Sequence, residues 1–211
     1  VAVHGDNRAG TDPEYSFAHG RIAEGILGSA LFPEFDFAIS VGDVYNTGAP
    51  GSSFNNHLWW PARDLMATLP LFIAVGNHEY GGDSTLANFQ AFFDFPGNGI
   101  TFPGGATHPF FSFDFGDCHF IVLDTGGGDI SPLSHEGGMG VDTQHEFLIS
   151  DLNAATTRVP RPWICVFMHK PVASDTAGHS WAAAESVRLG TGTTLEAFGV
   201  DLVFQGHSHA Y

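Results

Sequence analysis

Side chains that can bind metal ions come directly after five short apolar runs of this sequence. The runs are residues 1–3 before "HGD", 37–41 before "GD", 71–75 before "GNHE", 163–168 before a histidine, and 202–204 before "QGHSH". Short apolar runs bounded by turn residues are typical of buried strands. In an α/β sheet, the loops at the carboxyl ends of the strands gather at one edge, where side chains from separate loops can meet.

Six side chains of ligating type are therefore expected to converge: Asp6, Asp43, Asn77, His169, His207 and His209. Carboxylate, amide oxygen and neutral imidazole are donors that suit zinc, iron or manganese. No cysteine is among them, which argues against a structural zinc site built from thiolates. The pattern predicts a metal centre with nitrogen and oxygen ligands.

The individual motifs differ in how specific they are. "GD" after a strand more often marks a turn than a ligand, and "GNHE" fits a turn and a metal site about equally well. "GHSH" places His207 and His209 on the same side of an extended chain, which favours a shared metal. The recurrence of such residues after all five runs indicates a metal site rather than independent loop chemistry.

The elements that must position these residues alternate along the chain. Further strand-like runs at 110–115 and 119–123 predict an antiparallel hairpin that turns at "FGDC". Helices are predicted at 21–30, 58–68, 85–93 and 144–155. Strands separated by helices predict an α/β fold with a mixed sheet, and the glycine-rich segments between them predict long surface loops.

Composition limits the function classes. The formal net charge is −16, with only seven lysines and arginines, so no nucleic-acid partner is expected. The 20 phenylalanines predict large apolar surfaces packed against each other. The 211 residues suit a single domain, 1–211, and no apolar run reaches the roughly 18 residues needed to span a bilayer.

The order of these motifs resembles a known enzyme family. Asp6, "GD", "GNHE", "VFMH" and "GHSH" follow one another as in the calcineurin-like metallophosphoesterases, across essentially the whole chain. "GNHEY", "GHSHAY", "VLDTG" and "TQHEFLISDL" are most similar to the purple acid phosphatases. The resemblance implies a four-layer α/β sandwich, in which two mixed β-sheets are flanked by helices and a dinuclear metal site lies at the carboxyl-end loops.

The resemblance also implies a role for each residue of the motifs. Asp43 would bridge two metal ions, Asp6 and His209 would bind the first metal, and Asn77, His169 and His207 would bind the second. The metals implied are iron with zinc, manganese or a second iron. A metal-bound hydroxide would attack a phosphate monoester, while His78 contacts the phosphate and protonates the leaving group.

The first metal needs one more donor. Many metallophosphoesterases have a histidine at the position of Arg8, and an arginine cannot replace it because it stays protonated. Purple acid phosphatases place a tyrosine three residues after the bridging aspartate, whereas Tyr45 lies two after Asp43. A one-residue deletion would restore the alignment and make Tyr45 the donor, which predicts a purple ferric protein. Asn46 holds the third position and is the alternative.

Two further residues are candidates for substrate contact. Arg8 can bind phosphate through paired hydrogen bonds or form a salt bridge with a loop carboxylate. His179 comes after "HKPVASDTAG" in a loop expected to leave the ligand edge, where it would either meet substrate or play no part. Surface or structural positions are expected for the remaining histidines: His4, His19, His57, His108, His119, His135 and His145.

The ends of the sequence and its cysteines carry smaller expectations. A start at Val1 without methionine suggests either a removed leader or trimming of a longer chain, and with the resemblance it suggests a secreted or otherwise extracytoplasmic protein. Purple acid phosphatases continue with further strands after "GHSHAY", so the resemblance implies a domain truncated at Tyr211. Cys118 and Cys165 are expected as buried hydrophobes, or as a disulfide if their strands are neighbours.

Three functions remain open at this point. A phosphatase would act on a phosphorylated small molecule or a phosphoprotein, while a phosphodiesterase or nucleotide hydrolase would use the same ligands on the same scaffold. An inactive binding module would be expected to have lost ligands, and here the bridging aspartate, the Asn-His pair and all three ligand histidines are present. The sequence therefore favours catalysis.

Overall fold

The computed structural model describes residues 1–6, 13–32, 34–46, 54–95, 109–126, 141–172, 174 and 188–209. Seven strands lie in this part of the chain: β1 (Ala2–His4), β2 (Ala38–Ser40), β3 (Leu71–Ile73), β4 (Phe111–Phe115), β5 (Cys118–Val122), β6 (Trp163–Phe167) and β7 (Leu202–Phe204). The α-helices there are α1 (Pro13–Leu27), α2 (Trp60–Met66), α3 (Ala87–Phe92), α4 (Val141–Thr156) and α5 (Thr193–Ala197). Two π-helical turns, Asn55–Trp59 and Arg188–Gly192, precede α2 and α5.

The strands form two sheets. The first has three strands in the order β1-β2-β3, all parallel, and the second has four in the order β4-β5-β6-β7. In the second sheet β4 is antiparallel to β5, and β5, β6 and β7 are parallel. The predicted α/β fold with two sheets flanked by helices is confirmed, as is the hairpin at "FGDC"; among the described residues only the four-stranded sheet is mixed.

The four-stranded sheet is buried on both faces. Along β5 and β6, successive side chains point to opposite sides. One set packs in a core shared with the three-stranded sheet: Phe120, Val122, Cys165 and Phe167. The other set packs against α4 and α5: Ile121, Ile164 and Val166. The carboxyl ends of the parallel strands of both sheets lie at one edge of the molecule, where the residues that follow them meet.

Phenylalanine rings fill the space between the sheets, as the composition predicts. The Phe37 ring lies 5.6 Å from that of Phe72, 5.4 Å from Phe113 and 5.3 Å from Phe120, measured between centroids. All three pairs meet edge to face, the geometry that aromatic quadrupoles favour. The two sheets are thus held together by interlocking rings.

The helices depart from the sequence prediction in two places. Helix α1 begins at Pro13, well before residue 21, because proline is suited to the first position of a helix. The predicted helix 58–68 is divided into the π-helical turn Asn55–Trp59 and helix α2. Pro61 lacks the N–H that an α-helix would donate to the His57 carbonyl, so a regular helix cannot run through this point.

Two further expectations concern membranes and cysteines. Within the described ranges, no helix is long and apolar enough to cross a bilayer.

Cys118 and Cys165 lie on neighbouring strands, but the register pairs Cys118 with Trp163 and Cys165 with Phe120. Both cysteines are free thiols, so the disulfide is absent, and burial raises the pKa of Cys165 to about 11.

His119 joins the hairpin to helix α4. Its Nδ1 lies 2.8 Å from Asp114 Oδ1 and its Nε2 lies 2.8 Å from Asp151 Oδ2, so both ring nitrogens face carboxylates. Arg158 donates two hydrogen bonds to Asp114, and Ser112 donates one to Asp151. Burial lowers the pKa of His119, but the hydrogen bonds to Asp151 and Asp114 outweigh it and leave that pKa raised.

This cluster predicts a pH-dependent stability. Because the pKa of His119 is raised in the folded protein, its contribution is fully present below about pH 6.5, the unfolded pKa, and is lost as pH rises through the folded value. We expect His119→Gln to lower the free energy of unfolding by about 1–3 kcal/mol at pH 6 and by less at pH 9. Urea denaturation of both proteins across this range measures the difference, and a pH-independent difference would contradict the prediction.

Candidate metal centre

Residues after β1, β2, β3, β6 and β7 meet at the carboxyl edge of the sheets. Two groups of donor atoms lie there, each with its atoms within 4.8 Å of one another: Asp43, His169 and His207 in one, and Asp6, Asp43 and His209 in the other. Asp43 belongs to both groups and is almost fully buried. One carboxylate thus stands between two sets of possible ligands.

Asn77 lies next to the group formed by Asp43, His169 and His207, because its side-chain oxygen is close to the His169 ring. The Nε2 atom of His169 lies 3.1 Å from Asn77 Oδ1, 3.1 Å from His207 Nδ1 and 3.4 Å from Asp43 Oδ1. Its Nδ1 donates to the Val41 carbonyl at 2.9 Å, which leaves a lone pair on Nε2. Burial lowers the pKa of His169 to about 4, so the ring is neutral. A lone pair that faces an amide oxygen and a carboxylate fits a bound cation.

In the group formed by Asp6, Asp43 and His209, one carboxylate oxygen of Asp6 can accept a further bond. Asp6 Oδ2 accepts a hydrogen bond from the His207 backbone N–H at 2.9 Å. Asp6 Oδ1 is buried, has no hydrogen-bond partner among the described residues, and lies 3.3 Å from His209 Nε2. A buried oxygen of this kind normally has a partner. A cation between Asp6, Asp43 and His209 would supply one.

Four of these residues have an unusual backbone. The φ angles are 52° at Asp6, 53° at Asp43, 71° at His207 and 51° at His209. Left-handed backbone costs a residue with a side chain about 1–2 kcal/mol, although aspartate and histidine adopt it more readily than most. Such strain persists where the surroundings fix it and is common at functional sites.

Glu79 fixes two of the loops. Its buried carboxylate accepts hydrogen bonds from the backbone N–H groups of Asp43 at 2.9 Å, Val44 at 3.0 Å and Gly76 at 2.6 Å. Burial and the nearby Asp43 carboxylate raise the pKa of Glu79 to about 8. No motif predicts a role for Glu79, although it stands inside "GNHE", because two of its three partners, Asp43 and Val44, lie on a loop 36 and 35 residues away in sequence.

Gly76 allows the loops to approach closely. A Cβ atom at this position would lie 2.3 Å from Asp43 Oδ1 and 2.6 Å from the Asp43 backbone nitrogen. Both distances are far below van der Waals contact, and the neighbouring backbone cannot move aside. Only glycine therefore fits beside the shared carboxylate.

Thr125 and Asp124 support the His169 loop. The Thr125 hydroxyl accepts hydrogen bonds from the backbone N–H groups of His169 at 3.1 Å and Lys170 at 2.8 Å. Asp124 accepts hydrogen bonds from the Tyr80 hydroxyl and the Gly126 N–H. Burial raises the pKa of Asp124 to about 6. The motif "VLDTG" thus connects the "GNHEY" loop to the strand that carries His169.

His78 lies at the edge of the centre. Its backbone N–H donates to Asp43 Oδ1 at 3.0 Å, and its Nδ1 lies 2.8 Å from the Asn46 carbonyl oxygen. Its Nε2 lies 4.0 Å from Asp43 Oδ2. The ring is 26% exposed, so it borders both the carboxylate and solvent.

Tyr45 and Asn46 differ in their surroundings. Tyr45 is fully buried, with its ring centroid 4.3 Å from that of Phe54. Its hydroxyl has no hydrogen-bond partner among the described residues. Burial, with Glu79 and Asp83 nearby, raises the pKa of Tyr45 above its usual range, so a phenolate here would need a cation. Asn46 contacts histidines through its backbone.

The two predicted substrate contacts, Arg8 and His179, lie outside the described residues. A cleft of about 410 Å³ opens beside the second group, and Asp6, His209, His4 and Gln205 are among its lining residues. That volume is in the range of pockets that hold small molecules.

Known proteins resemble this chain in sequence. A sequence model described as calcineurin-like phosphoesterase matches residues 17–211. Acid phosphatase type 7 of Mus musculus is 27% identical over 188 residues, which cover 84% of this chain and 40% of the mouse protein. Purple acid phosphatase 15 of Arabidopsis thaliana is 32% identical over 152 residues, 71% of this chain and 26% of the plant protein. The chain thus spans well under half the length of these relatives.

A solved structure shares the fold. It is described as GAP50, the anchor in the inner membrane complex of Plasmodium, and superposes with a TM-score of 0.66. The match covers 98% of this chain and 65% of the other, at 17% identity. At that identity the likeness concerns the fold alone.

Removing the Glu79 carboxylate is expected to destabilise the protein and weaken metal binding. Glu79→Ala leaves three buried N–H groups unpaired, at about 1–3 kcal/mol each, so we expect a loss of about 3 kcal/mol or more in the free energy of unfolding. Glu79→Gln keeps one acceptor oxygen and should fall between this variant and wild type. Exposed Glu146 supplies the control, Glu146→Ala. Chemical denaturation and metal titration calorimetry measure both effects, and equal stability of Glu79→Ala and the control would contradict the role.

Removing the Tyr45 hydroxyl separates its two possible roles. In the metal-free protein, Tyr45→Phe is expected to cost no stability, since the buried hydroxyl has no partner among the described residues. With ferric iron, wild type is expected to be purple and Tyr45→Phe colourless, because the phenolate would be the chromophoric ligand. Denaturation and visible absorption measure these results. A colourless iron-loaded wild type would instead favour Asn46, water, or a zinc or manganese site.

Proposed function

This chain belongs to the calcineurin-like phosphoesterase family, and from that premise we propose that it is a purple acid phosphatase-like enzyme that hydrolyses phosphate monoesters at a centre of two metal ions. The observation that carries the proposal is the sharing of Asp43 between two groups of donor atoms. Calcineurin-like phosphoesterases generally bind two metal ions. A buried carboxylate between two donor groups is what such a pair requires.

We assign the ligands by group. Asp43 would bridge, Asp6 and His209 would complete one site with Tyr45 as a further donor, and Asn77, His169 and His207 would complete the other. The lone pair on His169 Nε2 supports this division, as does the Asp6 oxygen that has no hydrogen-bond partner among the described residues. When bound, two metal ions lower the pKa of a water nucleophile and neutralise the phosphoryl oxygens.

The donor set also bears on which metals bind. Nitrogen and oxygen donors of this kind suit iron, zinc and manganese, and a phenolate would favour ferric iron. Iron paired with zinc, manganese or a second iron is therefore the proposed content. Bound cations would also offset part of the net charge of −16.

His78 would act as general acid. The Asn46 carbonyl can only accept a hydrogen bond, so Nδ1 of His78 carries a proton and Nε2 is the nitrogen that faces Asp43. A proton on Nε2 can then pass to the oxygen of the leaving group. Partial exposure of the ring lets a substrate reach it.

The substrate is proposed as a phosphorylated small molecule or phosphoprotein. With seven lysines and arginines in the chain, the phosphoryl charge would be met mainly by metal ions, with Arg8 and His179 as proposed additional contacts. The extracytoplasmic location stays a prediction from the family resemblance.

Turnover by purified protein tests the function. We expect hydrolysis of p-nitrophenyl phosphate that a chelator abolishes and added metal restores. We expect His78→Asn to lower kcat on an alkyl phosphate by about 10² to 10⁴-fold with metal content unchanged, because it removes the proton donor that a basic leaving group needs. Half-buried His145 on α4 supplies the control His145→Asn, which should behave as wild type.

Other substrates separate the alternatives. Preferential hydrolysis of bis-p-nitrophenyl phosphate, ATP or pyrophosphate would indicate a phosphodiesterase or nucleotide hydrolase. A metal-loaded protein that is inactive on every ester would overturn the proposal and favour a binding module.

A further inference from the structure

A chain of hydrogen bonds connects helix α1 to His78. His19 Nδ1 lies 2.7 Å from the His57 carbonyl oxygen, the Asn46 backbone N–H donates to His57 Nδ1 at 3.1 Å, and His78 Nδ1 lies 2.8 Å from the Asn46 carbonyl oxygen. The motifs of the sequence predict only a surface or structural position for His57. We propose that His57 is a positioning residue that, through the Asn46 backbone, holds His78 in the orientation needed for proton transfer; this rests on the proposed function.

The chemistry of each contact fixes where the protons are. A backbone N–H can only donate, so Nδ1 of His57 carries a lone pair toward Asn46. A backbone carbonyl can only accept, so Nδ1 of His78 carries a proton toward Asn46. His57 therefore acts on one side of Asn46 and His78 is held on the other. The result is a single tautomer of His78 with Nε2 toward Asp43.

Asn46 needs this support because its carbonyl sets the plane of the His78 ring. The residue before it, Tyr45, is packed against Phe54. The hydrogen bond from the Asn46 N–H to His57 fixes the peptide group that joins Tyr45 to Asn46. Rotation of the Asn46 backbone would move the carbonyl oxygen and release the ring.

His57 is itself held by an irregular helix. It lies in the π-helical turn Asn55–Trp59, and π-helical turns are frequent at functional sites. Pro61 cannot donate the hydrogen bond that an α-helix would deliver to the His57 carbonyl. Buried His19 on α1 donates to that carbonyl. The His57 backbone is thus anchored independently of the metal ligands.

Misplacement of His78 would affect substrates unequally. Protonation of the leaving group matters most for a strongly basic alkoxide and least for p-nitrophenolate. We expect His57→Ala to lower kcat on an alkyl phosphate by about 10²-fold, the cost of roughly 1 Å of misplacement. On p-nitrophenyl phosphate the fall should be much smaller, and KM should change little on either substrate. A merely structural role would lower both rates alike.

Two conservative variants serve as matched controls. In His57→Asn, the side-chain oxygen is as many bonds from Cα as Nδ1 and can accept the Asn46 N–H, so this variant should recover most of the alkyl phosphate rate. In His57→Gln the oxygen is one bond farther away, and recovery should fail. If His57→Ala does not fold, His57→Asn is compared with His57→Gln instead. An equal dependence of kcat on the leaving group in these two variants would overturn the proposal.

A measurement without turnover tests the positioning directly. In metal-free protein, ¹⁵N correlation spectra of the neutral histidine rings should show His78 with its proton on Nδ1 in wild type and His57→Asn, so that Nε2 is the nitrogen that takes up and releases the transferred proton. His57→Ala should show the two tautomers in exchange. A wild type inactive on all esters would overturn the proposed function and the inference with it, whereas an active wild type with unchanged tautomer and leaving-group dependence in His57→Ala would overturn the inference alone.

Discussion

The buried carboxylate of Glu79 is the interaction on which the arrangement of the centre depends. It binds three backbone N–H groups from the loops after β2 and β3, and so fixes Asp43 in a backbone conformation that it would not otherwise prefer. Gly76 lets the loops come close enough for this contact. Once Asp43 is placed, both donor groups and the backbone of His78 are defined relative to it.

The cost of this arrangement is electrostatic. Acceptor atoms of Asp6, Asp43, Asn77 and His169 face one another in a largely buried space. Burial favours neutral forms of such groups, and the lowered pKa of His169 reflects it. A cation would reverse the sign of these interactions, so binding of metal and stability of the loops are coupled.

The sequence predicts which side chains meet at the edge of the sheets, because their positions follow from topology. Asp6, Asp43 and His169 each come directly after a parallel strand, and parallel strands end at one edge. The supporting residues are harder to predict. Glu79 and His57 act through backbone groups of the loop after β2, and His57 lies in a π-helical turn that apolar periodicity does not reveal. His119 matches no ligand motif, and its two carboxylates come from separate elements.

The left-handed backbone at Asp6 and Asp43 limits which substitutions these positions can accept during evolution. These positions accept asparagine or glycine without distortion, while β-branched residues would strain them. Replacing either aspartate by asparagine would keep the turn and remove a repelling charge, and would therefore stabilise these loops in the metal-free protein. Loss of these ligands is therefore an easy direction of change for this scaffold, because it costs the fold little.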